Sequence, residues 1–188
     1  GLKPQEAYPQ VLQARFDEEG RPVEVFNLAL WGWSTRQERL AWNKLGRKYR
    51  SDLVVLGVCL NDIPELQNNL AQPPRWISAL HERSALVRAI VNAPGREIQS
   101  VEQLFVSPEP AKVTEGFDRF FAELRSLRDE VRTEGAEFAV LVFPFRFQVL
   151  AGAPSPTAQA RITEFCGREG LRCLDLLPAV AKAGELAF

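Results

Sequence analysis

Three short clusters in this 188-residue chain join a hydrogen-bonding or aromatic side chain to the end of an apolar run: Trp31 to Thr35, Asn61 to Glu65 and Pro144 to Gln148. Gly32, lacking a Cβ, leaves its backbone N–H open to close approach, and the Asn61 side chain offers an amide donor that brings no charge. Trp31 and Trp33 flank Gly32 with rings suited to an acyl chain or a sugar, and buried packing accounts for them equally well. Asp62 either holds its loop by accepting backbone N–H bonds or lines a site, the loop role being the simpler. Arg146 is placed to meet an anionic group, with a solvated arginine as the plain alternative. Taken singly, Gly32 or the Asn61-Asp62 pair is ordinary turn chemistry at the end of a strand.

The remaining reactive types point nowhere else. His81 is the only histidine and so the only candidate imidazole base, but it falls inside a helical pattern, Leu80-His81-Glu82-Arg83-Ser84, away from any strand end. Ser34 lacks the GxSxG setting of a nucleophile elbow and, with Thr35, reads as helix capping. Cys59, Cys166 and Cys173 have neither disulfide-scaffold density nor metal-binding spacing and read as buried thiols. There is no GxGxxG, P-loop or HExxH, so no cofactor and no metal is expected. With 23 basic against 24 acidic residues, a net charge of -1 gives no footprint for nucleic acid. The longest apolar runs, Leu53 to Leu60 and Phe138 to Phe145, are too short to span a membrane as helices. Composition is that of an ordinary soluble globular protein, and the compartment stays open between cytoplasm and periplasm or secretion.

The elements that must position these clusters alternate between two periods. Tyr8, Val11, Leu12 and Phe16 place an amphipathic helix over Glu6 to Glu19, stopped by Gly20, and Val23 to Leu30 then reads as a buried strand. Thr35 with Glu38 suggests a capping box opening a helix that runs to about Tyr49. Asp52 to Leu60 is a β-branched apolar run of the kind buried on both faces of a parallel sheet. Ile63 to Pro74 reads as a long loop, Trp76 to Val91 as a helix, and the stretch to Ala111 as irregular. A strong helical stripe, Phe117, Phe120, Phe121, Leu124, Leu127 and Val131, marks Thr114 to Glu134. The strand Phe138 to Phe143, a helix Thr157 to Arg168, a strand Leu171 to Leu176 and the start of a last helix at Leu177 complete the pattern. Such alternation implies an α/β fold: a mostly parallel, flavodoxin-like sheet in a three-layer α/β/α sandwich, with ligands beyond the carboxyl ends of the strands.

Two of the clusters resemble conserved blocks of the SGNH (GDSL-type) hydrolases. Asn27-Leu28-Ala29-Leu30-Trp31-Gly32 is similar to the family's second block, and Asp52 through Asn61-Asp62 to its third, although Cys59 stands where the family usually has glycine. The resemblance implies that Gly32 and Asn61 are oxyanion-hole donors, stabilising the charge that develops in acyl transfer. It implies a serine nucleophile assisted by a His-Asp pair. The Gly-Asp-Ser and Asp-x-x-His blocks that supply them are expected outside residues 1–188, which would make the chain a single SGNH hydrolase-like domain seen without its two ends. The implied activity is ester hydrolysis on a small acyl ester or an acetylated carbohydrate, with Trp31, Trp33, Asp62 and Arg146 near the substrate. A non-catalytic module binding a glycan or a protein, and a polysaccharide O-acyltransferase, share the same fold logic and stand as alternatives.

Overall fold

The computed structural model describes residue 5 and residues 7–30, 32–63, 111–149 and 157–183. The chain divides into two compact units, residues 1–31 and residues 32–188. In the first, helix α1 (Tyr8–Glu18) has Pro9 as its second residue, with no N–H to leave unpaired in the first turn, and the chain turns away at Gly20 with φ +64°. The strand expected over Val23 to Leu30 does not form. Its backbone is satisfied by side chains instead: the Gln13 amide donates to Val23 O at 2.9 Å and accepts from Val25 N–H at 2.6 Å, and Asn27 Oδ1 accepts from Ala29 N–H. Such local bonds compete with a sheet ladder, and Phe26 and Leu30 stay exposed.

The second unit runs α2 (Thr35–Lys44), a 3-10 turn (Gly46–Tyr49), β1 (Leu53–Val58), a 3-10 turn (Leu60–Asp62), α3 (Ala111–Thr133), β2 (Glu137–Val142), α4 (Arg146–Val149), α5 (Thr157–Arg168), β3 (Arg172–Asp175) and α6 (Leu177–Ala183). The three strands form one parallel sheet in the order β1-β2-β3, so the α/β class expected from the alternation is the class observed. The expected loop and helix over residues 64–110, including His81, lie outside the described residues.

Register sorts the two faces of the sheet. Leu56 pairs with Val140 and Val58 with Val142, and all four are buried in one core with the Phe117, Phe120 and Leu124 stripe of α3 and with Ile162 and Phe165 of α5. The Phe121 and Phe165 rings stack at 4.3 Å and join the two helices. Residues of the other parity, Leu53, Val55 and Leu174, are 48%, 40% and 56% exposed, so among the described residues the helical core covers one face. Helix α2 packs on the outside of α3, where Arg39 reaches Glu123 and Glu130 at 2.7 Å each, Asn43 also binds Glu130, and Arg47 pairs with Glu134. Among the described residues no helix is long and apolar enough to cross a membrane.

Candidate functional site

Helix α2 begins one residue earlier than the Thr35-Glu38 pattern suggests. Ser34 is the N-cap, and its backbone N–H donates to Gln37 Oε1 at 2.9 Å. The shift has a consequence for Glu38. Relieved of capping, it lies on the inward stripe Thr35, Glu38 and Trp42, spaced i, i+3 and i+7 along one helix face. Thr35 Oγ1, Glu38 Oε2 and Trp42 Nε1 are all buried and, among the described residues, have no hydrogen-bond partner. Gly32, in the turn before Ser34, is exposed and has φ +80°; a Cβ there would meet nothing, so its glycine serves the backbone conformation and leaves the N–H unobstructed.

At the carboxyl end of β1 the chain tightens into the Leu60–Asp62 turn, closed from both sides by one residue. Asp62 N–H donates to Cys59 O at 3.0 Å, and Cys59 N–H donates back to Asp62 Oδ2 at 2.5 Å. Asp62 is 9% exposed, so the loop-holding role is the one its contacts display, and Asn61 sits half-buried on the turn it secures. The Asp62 carboxyl is raised to about 7 by burial, against the opposing pull of the Cys59 N–H. Glu38 is raised to about 8, by burial first and then by the charge of Asp62. Burial, Asp62 and Glu38 together push the Cys59 thiol up to about 12, which keeps it protonated and inert as a nucleophile.

The other expected site residues divide. Trp33 is half-buried and lines a shallow groove of about 250 Å³ along α2 with Gln37, Leu40, Ala41, Lys44 and Leu45. Arg146 is exposed and opens α4, four residues beyond the end of β2. Because Val58 and Val142 are register partners in parallel strands, Asn61 and Arg146 leave the sheet along the same edge. Trp31 lies outside the described residues. Gln148, the last residue of the Pro144 to Gln148 cluster, is paired with Gln159, to which no part was given: their amides exchange reciprocal hydrogen bonds at 2.8 and 2.9 Å, Gln148 also accepts from Phe145 N–H, and Gln159 is 1% exposed. Glu38, expected to complete a capping box with Thr35, is not part of it: Ser34 and Gln37 form the box. A larger, polar cavity of about 450 Å³ lies between α3 and α5, lined by Arg125, Arg161 and Arg168 with Asp118 and Glu164. Among the described residues no group of His, Cys, Asp and Glu is arranged to hold a metal ion.

Compared with protein-family models, curated proteins and solved structures, the chain matches none.

Proposed function

We propose that residues 1–188 belong to an SGNH-type carboxyl-ester hydrolase of three-layer, flavodoxin-like architecture, in which the Gly32 N–H and the Asn61 amide stabilise the oxyanion of acyl transfer. The serine nucleophile and its His-Asp pair are expected outside these residues. One observation carries the reading: Asn61 sits on the turn that leaves the carboxyl end of β1 in a parallel sheet, and Gly32 lies in the positive-φ turn that opens α2. That edge is where ligands bind in open α/β sheets. A donor without charge and a donor without a neighbouring Cβ suit a charge that exists only in the transition state. Small acyl esters and acetylated carbohydrates are the substrate classes this chemistry takes, with the Trp33 groove on the acyl or sugar side and Arg146 beyond the same strand ends.

The test is covalent labelling of the full-length protein with a fluorophosphonate, followed by peptide mapping. The expected result is a single modified serine outside residues 1–188 and turnover of a short-chain aryl ester. A folded protein that neither labels nor turns over would instead be a binding module, and acyl transfer to a sugar in preference to water would make it an O-acyltransferase.

A further inference from the structure

We propose that the cavity between α3 and α5 binds a short peptide with free termini, its ammonium between Asp118 and Glu164 and its carboxylate between Arg125 and Arg168. The proposal does not rest on the ester-hydrolase reading and holds or fails without it.

Two helices in step build the cavity. Arg161 of α5 lies over the Phe117 ring of α3 at 4.1 Å, and Phe121 stacks on Phe165 at 4.3 Å. Arg125 lies 4.9 Å over Phe165 and donates to Glu169 at 2.9 Å. On both helices these contacts advance by about one turn at a time, so α3 and α5 run parallel. Asp118 and Arg161 therefore mark one end of the cavity of about 450 Å³, Arg125 and Arg168 the other, and Phe121 and Phe165 floor the middle. Along the helix axis the rise from Asp118 to Arg125 is about 10 Å and from Glu164 to Arg168 about 6 Å.

Charge decides what fits between these ends. The side chains of Asp118, Glu164 and Arg168 are exposed and, among the described residues, make no ion pair or hydrogen bond. Arg125 commits its Nε–H to Glu169, which Arg128 also binds, and its two terminal NH2 groups remain as donors. A guanidinium laid on an aromatic ring keeps its N–H edge for a carboxylate and has little freedom left to lose. A simple anion would meet the carboxylates of Asp118 and Glu164, and a simple cation would meet the three guanidiniums. At the first end the two carboxylates outnumber Arg161, whose guanidinium face is taken by Phe117. A ligand that carries both charges about 6–10 Å apart satisfies both ends. The charges of a free α-amino acid sit on one carbon and are too close, whereas two or three extended residues at about 3.3–3.6 Å each span the distance.

The experiment titrates trialanine, N-acetyl-trialanine and trialanine amide into the full-length protein at low ionic strength, with backbone amide signals followed by NMR. Trialanine should saturate with a Kd of roughly 1 mM and move the amides of α3 and α5 that border the cavity. Each blocked form should bind about tenfold more weakly or worse, because it lacks one of the two charges. Asp118→Asn should narrow the gap between trialanine and its N-acetyl form and leave the gap to the amide, and Arg168→Gln should do the reverse. The blocked peptides decide the matter on the wild type alone, even if a variant does not fold. Blocked forms that bind as tightly as trialanine overturn the proposal, as does the absence of saturable shifts in α3 and α5 up to about 10 mM peptide. Acetate or inorganic phosphate that binds there as tightly as trialanine makes the site one for anions alone and also overturns it. Ester turnover, or its absence, changes none of these outcomes.

Discussion

A carboxyl that holds its proton more tightly in the folded chain than in the unfolded one makes the fold weaken as pH rises. Glu38, at about 8 against an ordinary 4.5, and Asp62, at about 7 against 3.8, both do so. Between those limits the folded state binds more protons than the unfolded state, so unfolding free energy falls with pH. The loss begins near the unfolded values and is complete above the folded ones. Glu38→Gln should therefore flatten the dependence: compared by urea unfolding at about pH 5 and about pH 8.5, wild type should lose a few kcal/mol more than the variant. Equal losses would show that Glu38 titrates as an ordinary carboxyl. At this scale the sequence was legible in residue types more than in roles. Gly32 and Asn61 stood out because each ends an apolar run, whereas Glu38 fitted a capping box that Ser34 and Gln37 in fact form, and a shift of one residue along a helix turns a side chain by about 100°.

Among the elements, those with a strong period were read nearly to their ends. The aromatic stripe marking Thr114 to Glu134 is α3, Ala111–Thr133, and the helix expected over Thr157 to Arg168 has those bounds. Val23 to Leu30 was misread because an apolar run states only that a strand is possible; Gln13 and Asn27, which take up its backbone groups, act from outside the pattern or through a local turn. Two substitutions test the element contacts. A Cβ at Gly46 would collide with the ring of Trp42, 6% exposed, so Gly46→Ala should destabilise by about 1–3 kcal/mol in chemical unfolding, and a neutral result would mean that the ring has room to move. Gln148→Leu leaves the buried Gln159 amide unpaired and should cost about 1–3 kcal/mol, while adding Gln159→Leu should recover part of the loss. A double variant that is simply the sum of the singles would deny the coupling.

For the molecule as a whole, the β-branched run at Leu53 to Leu60 and the one at Phe138 announced parallel strands, and alternation with helices supplied the α/β class, whereas burial on both faces, expected of the first run, is not observed among the described residues. Which face the helices cover was not legible, because Val54 and Val55 are equally apolar and register alone decides that Val54 packs on the core while Val55 is 40% exposed. The same register sends the turns after β1 and β2, with Asn61 and Arg146, off one edge. The oxyanion role of Asn61 is measured most directly as kcat for short-chain ester hydrolysis by the full-length protein with Asn61→Ala. If Asn61 is an oxyanion donor, kcat falls by roughly 10²–10³ with KM little changed, the loss of one such donor. An active wild type whose Asn61→Ala variant turns over at the same rate would contradict it.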